Sequence, residues 1–373
     1  MDNSQRFSVH YLITARSGSE AVKLAEDIAI EQTAEMPPDA IPESIRQSST
    51  GKVVICKQAG KKNLYETVIS YPLAVAGDEL SQCLNMIFGN ISLKPGIRIS
   101  GIGWHSLDRI FPGPYWGIGG IRDKLNIHHR PLSCSALKPV GLSNSQLANR
   151  CYQMAKGGVD IIKDDHGLVN QSSAPFHDRV VTCMAAIEKA ADETGKRTAY
   201  FPNITGDCFD TWRRYEIAQS LGAFGVLISP QLTGMSIIKS LQDTDPVLPA
   251  MAHPTFSGSF VMNKEHGFTP SLYYGDLWRA LGADSVIYPN SGGRFSFTEN
   301  DCEGINNALR QDTSPFRKSF PTPGGGIQRE SIGKWIDRYG KDTIFLIGGS
   351  LYQHKGGLEV AVREFQDEIE DYG

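Results

Sequence analysis

Short alternating runs and helical stripes are interleaved along the first ~120 residues of the chain. "RFSVHYLITA" and "YETVISYPLAV" carry apolar side chains at every second position, the period of a strand with one buried face. "SEAVKLAEDIAIEQ" spaces Ala21, Leu24, Ala25, Ile28 and Ala29 by three and four, a helical stripe that Ser19 is placed to cap. "GDELSQCLNMIFGN" predicts a second helix. These elements predict a small α+β domain over residues 1–120.

From about residue 130 the pattern turns regular. Short β-rich runs fall at 132–138, 158–163, 198–203, 224–229, 247–252, 284–288, 318–322 and 343–348. Helical stretches separate most of them, among them "SNSQLANRCYQMAK", "FHDRVVTCMAAIEKAADETG", "DTWRRYEIAQSLG", "YYGDLWRALG" and "RESIGKWIDRYG". Eight such units predict a (β/α)8 barrel over residues 121–373; an open doubly wound sheet is the rival and usually has fewer units. A barrel places its chemistry at the carboxyl ends of its strands. The candidates there are Lys138, Lys163, Asp165, His166, Asn203, His253, Asn290, Gly324 to Gly326, Gly348 and Gly349.

Composition narrows the function classes. The chain has 373 residues, 40% apolar and 21% charged, with a net charge of −4 and no block of like charge, so neither nucleic acid nor an anionic membrane is an expected partner. No secretion signal or membrane-spanning run is visible, and a cytoplasmic protein is expected. The seven cysteines are scattered and form no C-x-x-C, which predicts buried free thiols and no zinc site.

The most informative stretch is "GGVDIIKDDHG", residues 157–167. On a strand, Lys163 and Asp165 point to one side and Asp164 to the other. Aimed into a barrel mouth, a lysine and a carboxylate could hold a divalent metal, provided the amine is neutral or converted by CO2 to a carbamate, an oxygen donor suited to Mg2+. Read locally, a solvated strand end with a Lys–Asp pair fits as well. In "SCSALKPVGLS", Pro139 disfavours the α region for Lys138 and keeps it extended, so that its amine could take a proton beside a carbonyl or could merely be exposed before a turn. "PTPGGGI" and "FLIGGS" follow the seventh and eighth runs, where barrels bind phosphate on glycine backbone. "YPNSGGRFSFT" predicts a mobile loop in which Arg294 offers a fork for phosphate or carboxylate, or a structural arginine in a turn. His253 ends the fifth run.

These motifs resemble the large subunit of ribulose-bisphosphate carboxylase. "GGVDIIKDDHG" is similar to its metal-binding signature Gly-Gly-x-Asp-x-x-Lys-Asp-Asp-Glu, and "LKPVGLS" to the stretch bearing its catalytic lysine. "FPGPYWGIGGIRDKLN" and "NMIFGN" resemble further segments in the same order along the chain. The resemblance implies Lys163 as a carbamylated metal ligand, Asp165 as a metal ligand, and Lys138 as the enolising base. It implies substrate contacts from Glu31 and Asn90 of the N-terminal domain, acting across a homodimer. Gly325, Gly326, Gly348 and Gly349 match phosphate-contacting backbone, Arg294 sits where the family's mobile loop carries lysine, and His253 matches a histidine of the fifth strand.

The departures are equally specific. His166 stands where carboxylases have a glutamate ligand, Val140 follows Lys138-Pro139 in place of a second lysine, Pro254 replaces an arginine, and Gly324 a serine. His166 is therefore carried both as a metal ligand and as a catalytic residue facing the substrate. The pattern resembles the carboxylase-like, form IV group. It implies Mg2+ or another divalent metal and a phosphorylated sugar substrate. The implied reaction is isomerisation of 5-methylthioribulose 1-phosphate in sulfur salvage. The alternatives are a 3-oxo-isoapionate 4-phosphate decarboxylase or transcarboxylase-hydrolase, and a non-catalytic sugar-phosphate-binding barrel.

Overall fold

A computed structural model describes residues 5–372, which divide into two compact units. The first comprises the residues up to Pro112 with Ser257–Tyr273 and Asp312–Phe316; the second comprises Gly113–Phe256, Tyr274–Gln311 and the residues from Arg317 onward. The sequence pattern puts the change of organisation at residue 120, whereas the contacts put it after Pro112 and draw two later segments into the first unit.

The first unit is built on a five-stranded sheet. Its strands are β1 (Arg6–Thr14), β2 (Lys52–Gln58), β3 (Leu64–Pro72), β4 (Ile97–Ile102) and, from far along the chain, Gly267–Phe268. β1 is central, antiparallel to β3 from Arg6 opposite Pro72 to Thr14 opposite Leu64, and antiparallel to β4 on its other edge. Its alternation is realised in full: Phe7, Val9, Tyr11 and Ile13 are buried. β2 is an edge strand with no alternating burial, so no period-two signal announces it. Helix α1 (Gly18–Glu31) buries Ala21, Ala25, Ile28 and Ala29, the predicted stripe. Its cap is Ser17, not Ser19: the Ser17 hydroxyl accepts from the Glu20 amide at 3.2 Å, while Ser19 lies inside the first turn. Two further helices follow, α2 (Glu43–Ser49) and α3 (Leu80–Phe88), the latter the predicted second helix.

The second unit is the predicted (β/α)8 barrel. Its parallel strands are β5 (Leu132–Leu137), β6 (Ile161–Asp164), β7 (Ala199–Phe201), β8 (Val226–Ile228), β9 (Ala250–Ala252), then Ser285–Pro289, Phe320–Gly324 and Ile344–Ile347. The sheet order closes on itself: Ile347 is in register with Ser135 at one seam, and Asn203 bridges Leu227 at the other. Inward side chains fill the barrel with Leu132, Cys134, Ile161, Phe201, Leu227, Met251, Ile287 and Phe320. Helix α4 (Gly117–Leu125) plugs the amino-terminal end with Ile118 and Ile121. Carboxyl-terminal to the first three barrel strands come α5 (Asn144–Lys156), α6 (Phe176–Thr194) and α7 (Cys208–Ser220), each beginning and ending within a few residues of its predicted stretch. The predicted helix over 273–282 takes another form: a π-helical segment, Ser271–Leu277, runs into a single α-turn, Trp278–Leu281. The cysteines are all free thiols; five are buried, Cys56 is half-buried and Cys208 is exposed. Among the described residues no helix is long and apolar enough to cross a membrane.

Candidate active site

β6 organises the mouth of the barrel. Its β-branched residues fix the strand, and the pleat then sends successive side chains to opposite faces. Asp164 points outward into the helix layer, where it is fully buried. There it accepts from the Tyr200 hydroxyl at 2.7 Å, the Asn203 amide at 2.9 Å and Arg179 Nε at 3.2 Å. Lys163 and Asp165 take the other side. Of the two sequence readings, a solvated strand end is excluded, because Lys163 is only 2% exposed.

Lys163 donates to the carbonyl of Asp164 at 2.9 Å. Burial pushes its amine below the ordinary lysine range, opposed by the charges of neighbouring acidic groups including Asp165 and reinforced by that of Lys138. Lys138 stands directly after β5 and places Nζ 2.5 Å from Asp165 Oδ1. His166 Nδ1 lies 3.4 Å from that same oxygen. Burial works against the Asp165 carboxylate, but hydrogen bonds from His166 and Lys138 and the nearby Lys163 charge hold it well below the usual range. Asp165 is therefore held as an anion between Lys138, Lys163 and His166.

His253 follows β9, and its ring stacks on His166 with centroids 4.7 Å apart and planes 9° from parallel. The Thr255 amide donates to His253 Nδ1 at 3.2 Å, so the neutral ring carries its proton on Nε2. Burial, then the charges of Lys163 and His166, push His253 well below the usual histidine range and keep it neutral.

Asn203 is fully buried with its amide committed within the protein. Nδ2 donates to the His166 carbonyl at 2.9 Å, and Oδ1 accepts from the Thr205 amide at 3.1 Å. It holds the backbone of the turn at His166, a role that its strand-end position alone does not reveal. Arg294 is exposed, its guanidinium 4.9 Å from the centre of the Phe295 ring. The glycines at 292–293 and 324–326 approach each other: a Cβ on Gly326 would lie 2.7 Å from Gly293 N, and Gly326 has φ +76°, so glycine alone allows this approach. Gly325, Gly348 and Gly349 border open space, where an added Cβ would meet nothing within 4 Å. Glu31 and Asn90 come together in the first unit, where Asn90 Nδ2 donates to Glu31 Oε1 at 3.2 Å and to Glu35 Oε1 at 2.8 Å.

Two residues at the mouth carry no motif signal. Tyr352, in the turn after the last strand, donates to the Ala136 carbonyl at 2.8 Å and accepts from the Lys138 amide at 3.1 Å. Arg150 of α5 donates to the Lys138 carbonyl and lies 4.9 Å from the Tyr352 ring centre.

As they stand, the donors beside Asp165 are one carboxylate, imidazole and amine, and no group of three or more His, Cys, Asp or Glu poised for a metal occurs among the described residues. The set fits a hard divalent cation only if Lys163 is carbamylated, which would add a second anionic oxygen donor. A buried amine with a depressed pKa is suited to that reaction.

Comparison with known proteins agrees with this geometry. Residues 117–365 match the family model "Ribulose bisphosphate carboxylase large chain, catalytic domain". The 5-methylthioribulose-1-phosphate isomerase of Rhodospirillum rubrum is 34% identical, the alignment covering 95% of this chain and 94% of that protein. The 2,3-diketo-5-methylthiopentyl-1-phosphate enolase of Geobacillus kaustophilus is 33% identical over 93% of this chain and 88% of that one. The crystal structure of a Rubisco-like protein from Rhodopseudomonas palustris superposes with a TM-score of 0.88 at 33% identity, covering 99% of this chain and 98% of that one. With its Lys163-Asp164-Asp165 strand end at the mouth of a (β/α)8 barrel, the chain belongs to the ribulose bisphosphate carboxylase large-chain family, in the Rubisco-like, form IV group.

Proposed function

We propose that the protein enolises a phosphorylated sugar without fixing CO2, and that its reaction is the isomerisation of 5-methylthioribulose 1-phosphate. The observation that carries this reading is the approach of Lys138 Nζ to Asp165 beside a buried Lys163, at a barrel mouth bordered by glycine turns. Lys138, as the free amine, takes the proton from the carbon next to the carbonyl, and the C–H electron pair moves onto the carbonyl oxygen to give an enediolate. Return of a proton to a different carbon completes an isomerisation with no other reactant. His253 presents Nε2–H as a donor to the developing oxyanion, and the Gly325–Gly326 and Gly348–Gly349 backbones receive the phosphate. Mg2+ bound by Asp165 and a carbamate on Lys163 would add Lewis-acid stabilisation of the same oxygen. His166 faces the substrate space rather than the metal, and Arg294 swings in with its loop to the phosphate.

The chain covers almost all of the isomerase relative, which supports isomerisation as the first reading. Its similarity to the enolase supports a second: tautomerisation of a 2,3-diketo-5-methylthiopentyl 1-phosphate by the same base. Incubation of the purified protein with each compound in D2O, followed by phosphorus and proton NMR, tests both. Exchange of a carbon-bound proton with formation of a new phosphate ester supports the substrate that gives it. Release of CO2 from a sugar-acid phosphate, with neither compound turned over, would replace both readings by a decarboxylase. The proposed assembly is a homodimer in which Asn90 and Glu31 serve the partner's barrel. A fully active monomer in light scattering would refute it.

A further inference from the structure

The seam between β5 and the closing strand, Ile344–Ile347, explains what holds Lys138. The parallel ladder runs from Ile344 opposite Leu132 to Ile347 opposite Ser135 and stops there, because the chain turns away at Gly348. β5 continues for two more residues, leaving the Ala136 carbonyl and the Lys138 amide without a strand beside them on that edge. The Tyr352 hydroxyl bonds to both, donating to the first and accepting from the second. It comes from the short turn Gly349–Gln353, which opens on the glycines that border open space. Arg150 reinforces the arrangement by lying against the Tyr352 ring and donating to the Lys138 carbonyl. One phenol thus replaces the missing rung of the ladder at the residue whose side chain reaches Asp165.

We propose that Tyr352 is a positioning residue for Lys138, tying the base to the turn that follows the closing strand. The proposal rests on the reading of Lys138 as the enolising base. The Tyr352 hydroxyl touches neither the amine nor Asp165; it acts by fixing the backbone from which the amine projects. Misplacement of a base by about 1 Å is enough to cost on the order of a hundredfold in rate.

Tyr352→Phe removes the oxygen and keeps the ring against Arg150. Hydrogen exchange of the intact protein reads the anchor without any substrate. The Lys138 amide is expected to exchange at least tenfold faster in Tyr352→Phe, with amides of β6 unchanged. An unaltered Lys138 amide overturns the proposal whatever the activity. Turnover of 5-methylthioribulose 1-phosphate then reads the consequence: kcat is expected to fall ten- to thirtyfold with KM within twofold of wild type. A double variant with Lys138→Ala is expected to be no slower than Lys138→Ala alone, because both changes act through one group. A purely structural tyrosine would lower the melting temperature and leave kcat per folded molecule intact, and that result also overturns the proposal. If Lys138→Ala itself retains wild-type exchange, the enolisation reading falls. If Lys138→Ala is dead and Tyr352→Phe fully active, only the role of Tyr352 falls.

Discussion

Strand β6 carries a carboxylate just beyond each end, and the two are held in opposite ways. Asp160, at the amino-terminal end, meets the Arg130 guanidinium in a bidentate fork at 2.7 and 2.8 Å. It also accepts from the Ser133 amide at 2.8 Å and the Ser133 hydroxyl at 3.1 Å. Each of its oxygens is committed, and Arg130 presents its fork in one preferred plane. Asp165, at the carboxyl-terminal end, shares one oxygen between Lys138 and His166. Its partners are an amine on a flexible stem and a single imidazole nitrogen, neither of which imposes a planar fork. The first arrangement has one low-energy geometry; the second can release its partners and take up others. The contrast fits a division between stability at the bottom of the barrel and the proposed chemistry at the mouth, only a few residues apart in sequence.

Removing the proposed base should separate the two ends most clearly. Lys138→Ala is expected to reduce solvent-proton exchange into 5-methylthioribulose 1-phosphate by two to four orders of magnitude, the usual contribution of a positioned general base. Its melting temperature should stay within about 3 °C of wild type, because Lys138 is part-exposed and its loss opens no cavity in the core. A variant that unfolds early and keeps its turnover number would erase the proposed division of labour.

Asp160→Asn attacks the opposite end. Breaking this buried ion pair on one side leaves Arg130 only the longer contact to Glu370 at 3.9 Å, and a loss of about 3 kcal/mol in stability is expected. Activity per folded molecule should be retained, since Asp160 lies a strand length from the mouth. Urea unfolding combined with the exchange assay checks both halves of this statement.

How far the site could be read from sequence follows from the distance over which each cause acts. The facing of Lys163, Asp164 and Asp165 is a matter of period two along a single strand, and the structure keeps it. The eight strand ends could be found because each is a local change of pattern. Ser17 was harder to separate from Ser19, since two serines in three residues offer the same chemistry and only backbone geometry chooses between them. Asn203 was a candidate by its strand-end position, which does not reveal that its amide is committed to the His166 carbonyl and the Thr205 amide. Tyr352 was beyond sequence reasoning altogether, because it meets Lys138 from 214 positions away and no pattern links the two.

A third experiment probes the bottom of the barrel through pH. Asp284 accepts from the Trp116 and Gly117 amides at 2.8 and 2.7 Å and from the Ala250 amide at 2.9 Å. Burial nevertheless pushes its carboxyl up to about 6. The unfolded chain ionises this group near 4, so between about pH 4 and 6 the folded state binds more protons. Stability contributed by Asp284 is therefore complete below pH 4 and is lost as pH rises to 6, by at most about 3 kcal/mol. Asp165, whose carboxyl is depressed, has the opposite sign: its contribution is present above about pH 4 and lost below. Urea midpoints of wild type and Asp284→Asn at pH 4 and pH 6.5 isolate the first effect. The advantage of wild type over the variant should shrink at the higher pH, and an unchanged difference would remove Asp284 from the account.

The smallest expected effect concerns His166, where the mouth departs from the carboxylase signature. Its Nδ1 already lies 3.4 Å from Asp165 Oδ1, so a carboxylate at this position would stand beside the anion proposed to hold the metal. Mg2+ prefers oxygen donors and imidazole is a poor substitute, so His166→Glu should add an anionic ligand to a proposed site otherwise limited to Asp165 and a carbamate on Lys163. Calorimetric titration with Mg2+ in bicarbonate buffer is expected to show binding about tenfold tighter, about 1.4 kcal/mol. The new glutamate also replaces the ring stacked on His253, so turnover should fall even as the metal tightens. Carboxylation should not appear, because Val140, Pro254 and Gly324 still occupy the positions where carboxylases carry lysine, arginine and serine. Unchanged Mg2+ affinity would mean that position 166 does not reach the metal. His166 would then matter only through its contacts with Asp165 and His253, and the mouth of the barrel would be a proton-transfer site in which the metal is held elsewhere or not at all.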